Sequence, residues 1–151
     1  MSAPAIRAVA SAEDLAAAMA IRRAVFVQEQ SIPESEEYDD RDPHAEHLLV
    51  VADDGTPIAT CRVFADDDGH GGGTARLGRL AVLPVARRRG LATLMIAACE
   101  ERARAAGARR MVLDAQVSAM PLYERSGYTA EGEDFDDGSG IPHRTMVKAL
   151  V

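Results

Sequence analysis

Leu80-Ala-Val-Leu-Pro-Val-Ala-Arg87-Arg-Arg-Gly90-Leu-Ala92-Thr93 is the stretch on which the fold turns. An apolar strand runs into Pro84, which has no N–H to give a ladder and ends it. Three arginines and a glycine follow. Beyond them Leu91, Leu94, Met95, Ala98 and Arg102 fall on one helical face, with Glu100 and Arg104 one turn apart on the other. This pattern predicts a helix from Arg88 to Ala106, stopped by Gly107. A helix N-terminus presents unpaired N–H groups and a partial positive charge. Small residues at Gly90 and Ala92 let an anion approach that backbone, and Arg87, Arg88 and Arg89 add charge beside it. The segment reads as a phosphate or pyrophosphate cradle, with a solvated helix start as the plain alternative. It lacks Gly-x-Gly-x-x-Gly and Gly-x4-Gly-Lys-Ser/Thr, which removes the dinucleotide fingerprint and the P-loop.

Toward the N-terminus, residues 74–83 form a strand, and 47–52 with 57–64 form a hairpin about Asp53-Asp54-Gly55. Residues 66–73 are a Gly-rich flexible loop that does not fit a calcium-binding loop. Ile6–Val9 is a short strand. Ser11 opens a helix to about Gln28, with Asp14 as a capping-box partner and Leu15, Ala18, Met19, Val25 and Phe26 on its apolar face. Residues 34–42 carry six acids and one arginine: a solvated loop, or a rim that attracts a cationic substrate. Toward the C-terminus come a strand at 111–116, a short helix at 119–126 and strands at 128–135 and 143–150. A strand on each side of the long helix allows a parallel pair. The order β-α-β-β-β-α-β-α-β-β predicts an α/β (α+β) fold, a mixed sheet covered by helices, in one domain spanning 1–151.

Composition narrows the function. The chain has 151 residues, 47% of them hydrophobic, enough for a core. No apolar run reaches the roughly 18 residues of a membrane span, and the N-terminus does not resemble a signal peptide. The net charge of −7 argues against a nucleic-acid partner. Lys148 is the one lysine, which reads as codon bias. Cys61 and Cys99 read as small buried hydrophobes in a reducing cytoplasm. His44-Ala-Glu-His47 lacks the helical pattern of a zinc site, and no metal is expected.

Several motifs together resemble the GNAT superfamily of N-acetyltransferases, in its ElaA/YjcF-like branch. Leu80-Ala81-Val82 followed by Arg87-x-x-Gly90-x-Ala92 is similar to the family's acetyl-CoA motif. Ala119-x-x-Leu122-Tyr123-Glu124-x-x-Gly127-Tyr128 is similar to its second motif, with Leu122 in place of the common Phe. Arg22-Arg-Ala-Val-Phe26-Val-Gln28-Glu29-Gln30, Ala115-Gln116 and Gly140-Ile141-Pro142-His143 resemble the branch signatures.

The resemblance implies a mostly antiparallel sheet of six to seven strands whose two central parallel strands splay apart. It implies acetyl transfer from acetyl-CoA to a primary amine by direct attack through a tetrahedral intermediate. The pantetheine arm would lie on Leu80, Ala81 and Val82 as an added strand. The diphosphate would sit on the amides of Arg87, Arg88, Arg89, Gly90, Leu91, Ala92 and Thr93, with Gln116 in the cofactor set. A backbone N–H near Val82 would hold the oxyanion. Tyr123 matches the general acid, its alternative being a core tyrosine. Glu29 is a candidate base, its alternative a helix-end ion pair. His47 and His143 have suitable intrinsic pKa values for a base, and His143 also stands near the acceptor. Arg62 and Arg79, on neighbouring strands, would orient an acceptor carboxylate or carbonyl, or else pair with local acids. The acceptor is a small-molecule amine or a protein amine, and by analogy the chain is a monomer or homodimer. A non-catalytic acyl-CoA sensor of the same fold is the alternative, and it would have no use for Tyr123.

Overall fold

The computed structural model describes residues 4–66 and 73–151. Strand β1 (Ala5–Ala8) leads into helix α1 (Ala12–Arg22). Ser11 caps α1 by accepting from Asp14 N at 3.1 Å. Asp14 does not complete a capping box; its carboxylate takes Arg7 instead, at 3.0 and 3.1 Å. The helix expected to reach Gln28 is α-helical only to Arg22. Arg23–Glu29 winds on as a π-helix, in which Gln30 N donates to Val25 O at 3.1 Å. A π-turn holds an extra residue, so it re-aims the side chains that follow it.

The acidic segment is a second correction. Glu34–Glu37 forms the short helix α2, and Glu37 is only 2% exposed. Strands β2 (Glu46–Val51), β3 (Pro57–Ala65) and β4 (Thr74–Val82) then run antiparallel in turn. Most of the 66–73 loop lies outside the described residues. Helix α3 (Leu91–Ala105) starts three residues later than expected, because Arg88 and Gly90 hold positive φ of 64° and 76°. Strand β5 (Arg110–Gln116), helix α4 (Met120–Arg125), and strands β6 (Thr129–Asp136) and β7 (Pro142–Ala149) complete the chain.

The seven strands form one sheet in the order β1-β2-β3-β4-β5-β7-β6. Among the described residues only β4 and β5 pair in parallel. The run Leu48–Val51 feeds both faces. Leu48 and Val50 join a core beneath α3 with Leu77, Met95, Ile96, Met111 and Met146, while Leu49 and Val51 join Ala18 and Ile21 of α1 and Val25 and Phe26 of the π-helical turn. A strand covered on both faces reads as continuous rather than alternating apolar residues. Cys61 and Cys99 are buried free thiols, with sulfurs 3.4 Å apart across the β3–α3 interface. The neighbouring Cys99 thiol and burial both push the Cys61 thiol well above its usual pKa, which disfavours the thiolate. Among the described residues no helix is long and apolar enough to cross a membrane.

The feature that positions the site is where β4 and β5 stop pairing. Their rungs are Thr74–Arg110, Ala75–Met111 and Arg76–Val112, and none follows among the described residues. Past that point each strand keeps its other neighbour. A bulge in β4, between the rungs Arg62–Gly78 and Thr60–Ala81, sets Arg79 at a φ of 51°. Bulges bend and twist the strand that carries them, and here β4 turns away from β5.

Candidate active site

The splayed strands bound a cleft of about 670 Å³. Leu80, Ala81 and Val82 line one arm, and Leu113, Asp114 and Gln116 line the other. At one end lies the β4–α3 loop, where no side chain caps the first turn of α3. The first-turn amides of α3 are therefore unclaimed by a capping side chain, whereas the Arg87 N–H is taken by the Pro84 carbonyl at 3.3 Å. A Cβ built on Gly90 would meet nothing within 4 Å, so the front of the loop is open. Leu91 turns into the core, whereas Arg88, Arg89 and Thr93 point to solvent. Only Arg87 and Ala92 of this loop line the cleft. Its amides and its open front suit a diphosphate, so the residues present fit a coenzyme A headgroup.

Arg87 is exposed but engaged. Its Nε donates to the Val82 carbonyl at 2.9 Å, and its two Nη atoms donate to both oxygens of Glu29 at 2.7 and 2.6 Å. Arg87 holds the Glu29 carboxyl below its usual pKa, which suits a counter-ion better than a base. Gln116 donates from Nε2 to Gln30 Oε1 at 2.7 Å, a partner the sequence reading did not single out.

Tyr123, in α4, faces the cleft and meets the Tyr128 ring edge-on at 6.1 Å. Its hydroxyl has no hydrogen-bond partner among the described residues. Burial raises its pKa well above that of a free tyrosine, so it carries its proton at neutral pH. Tyr128 is the structural member of the pair. Its hydroxyl donates to Glu100 at 2.9 Å, and Lys148 donates to the same carboxylate at 2.9 Å.

Opposite the loop, the cleft ends in arginines and acids. Arg22, buried in α1, donates to Glu37 and Asp42; Arg62 of β3 donates to Asp39 and Asp42; Arg79 in the bulge donates to the Glu37 carbonyl and to Asp39. Three guanidiniums meet the three carboxylates of Glu37, Asp39 and Asp42, pinning residues 37–42 over the sheet. Three of the six acids are thus neutralised from beneath, while the carboxylate of Glu36, which also lines the cleft, makes no ion pair among the described residues. Arg62 and Arg79 do line the cleft, but their charges are committed to these acids rather than open to an acceptor carboxylate. The Arg62 hydrogen bonds pull Asp39 down to about 2, against burial.

The histidines separate. His47 is buried and does not line the cleft; its Nε2 lies 3.0 Å from the Asp42 carbonyl. Through that contact it braces the acidic segment, and it is not brought to the slot with the other candidates for the base. His143 does line the cleft, with Nδ1 donating to Ile141 O at 2.7 Å and Nε2 3.4 Å from Asp137. Asp137 and Ser139, which reach the cleft from the β6–β7 turn, were not singled out in the sequence. A turn of Asp, Gly and Ser carries no signal of which cleft it will border.

Residues 9–128 match the model of the acetyltransferase (GNAT) family. The uncharacterized N-acetyltransferase YjcF of Bacillus subtilis is 36% identical over 136 residues, 90% of this chain and 93% of that one. A solved protein of Lactobacillus plantarum, named for N-acetyltransferase activity, superposes with a TM-score of 0.88 at 30% identity, covering 99% of this chain and 100% of that one. ElaA of Escherichia coli superposes with a TM-score of 0.80 at 23% identity, over 97% and 99% of the two chains, a likeness of fold.

Proposed function

The chain belongs to the acetyltransferase (GNAT) family, which transfers acyl groups from acyl-coenzyme A to amines, and on that footing we propose that it moves acetyl from acetyl-CoA to a primary amine. The observation that carries the reading is the slot between β4 and β5, which runs onto an uncapped helix N-terminus. The diphosphate belongs on the amides of residues 88–93, since the Arg87 N–H is taken by the Pro84 carbonyl at 3.3 Å, and the helix dipole and Arg88 and Arg89 at the rim favour it there. The pantetheine arm lies along Leu80–Val82, whose unpaired side supplies the backbone partners of an added strand. A backbone N–H near Val82 polarises the thioester carbonyl and holds the oxyanion that forms when the amine attacks. The C–S bond then breaks, and Tyr123 gives its proton to the departing thiolate. Glu29 faces the acceptor as counter-ion to its ammonium. His143, on the opposite wall, is the ring within reach of the proton the ammonium must shed.

A thiol-release assay with acetyl-CoA and a panel of primary amines tests this. Amine-dependent release of coenzyme A is expected. Coenzyme A binding without such release would make the chain a sensor, and no binding at all would refute the site.

A further inference from the structure

Glu29 and Gln30 stand at the end of the π-helical turn, where the chain passes between the two arms of the slot. Each is fastened to a different arm. Glu29 takes Arg87 of the β4–α3 loop at 2.7 and 2.6 Å, and Gln30 takes Gln116 of β5 at 2.7 Å. The same Arg87 also holds the Val82 carbonyl at 2.9 Å. One guanidinium therefore joins the Glu29 carboxylate to the end of β4, and it stands in the loop just before the first turn of α3.

Resting on the transferase reading, we infer that Glu29 and coenzyme A compete for Arg87, and that cofactor binding thereby releases the Glu29 carboxylate to the acceptor ammonium. The side chains of Arg87 and Glu29 are 37% and 41% exposed. The fork is bidentate, but water at both partners screens it and can replace either one. A diphosphate on the first turn of α3 offers more charge and more acceptor oxygens to the same guanidinium, so the exchange runs toward the cofactor. Gln30 keeps its anchor on Gln116 throughout, because that amide pair involves no charge and does not touch Arg87. The backbone at 29–30 stays in place, and only the Glu29 side chain is freed. Beside an anionic cofactor, a carboxylate stripped of its arginine draws a cation, and the acceptor ammonium is that cation. Cofactor and amine then strengthen each other's binding, and the coupling is reciprocal. Arg87 is the positioning residue of this arrangement.

A double-mutant cycle read by calorimetric titration of coenzyme A separates this from a plain contact. E29Q should bind coenzyme A roughly two- to fivefold more tightly than the parent chain, a gain of the size an exposed pair gives up. E29A should do the same. R87Q should bind less tightly, and adding E29Q to it should bring no gain. R87K, which keeps the charge without the fork, supplies the same cycle where R87Q binds too weakly to titrate. Unchanged or weaker binding by E29Q, or a gain that survives loss of Arg87, overturns the competition. If the parent chain takes no coenzyme A, the transferase reading falls with it; if it does and E29Q is inert, only the competition falls.

Discussion

Tyr123 is the residue whose removal should speak most directly. Tyr123→Phe keeps the edge-on contact with Tyr128 and deletes one unpartnered hydroxyl. Steady-state kinetics should show kcat lower by roughly ten- to a hundredfold, with coenzyme A affinity nearly intact. Unchanged turnover would remove the acid. Gly90 answers for the other end of the cleft. Its φ of 76° is one that other residues adopt with strain, and the space in front of it is open. Gly90→Glu therefore weakens coenzyme A binding by setting a carboxylate where the diphosphate belongs, on top of the backbone strain that any side chain brings at this φ. A titration showing parent-like affinity would contradict that placement. Arg87-x-x-Gly90-x-Ala92 was legible in the sequence because neighbours in the chain are neighbours in the loop. The pairing of Arg87 with Glu29 was not, because 58 residues separate them and only the fold brings them together.

The elements were legible in type and order, and less so in character. Every expected strand and helix exists, since the apolar periods of 3.6 and 2 are set by the sheet and helices they pack into. The π-turn at 23–29 was invisible, because seven residues are too few to tell its period from that of an α-helix. Residues 34–42 were misread for a different reason. Their acids repel one another along the chain, and the arginines that neutralise them come from α1, β3 and the β4 bulge. This pinning is testable as stability. Glu37→Leu leaves Arg22, 1% exposed, with Asp42 as its remaining carboxylate. Urea unfolding should show a loss of roughly 3 kcal/mol. Glu34→Ala, which removes the exposed partner of Arg23, should leave the midpoint where it is. Equal losses from both would mean that burial of the pair is immaterial.

For the molecule as a whole, the lattice of arginines and acids sets an acid limit. Asp39 has a folded pKa of about 2, against an ordinary 3.8. A depressed carboxyl contributes stability above its unfolded pKa and loses it as pH falls toward the folded one. Stability should therefore decline between about pH 4 and pH 2. In Asp39→Asn the decline over that window should be shallower, from a lower starting point at neutral pH. Parallel unfolding curves for the two chains across the window would show that Asp39 plays no part.

The three rungs joining β4 to β5 have a wider consequence. Sheets usually keep their unsatisfied margins at the perimeter, where another polypeptide can add to them and start an aggregate. Here two such margins lie face to face in the interior, in a gap that a slender, linear molecule can enter and a folded neighbour cannot. What would be a hazard on the outside becomes a selective filter for thin guests.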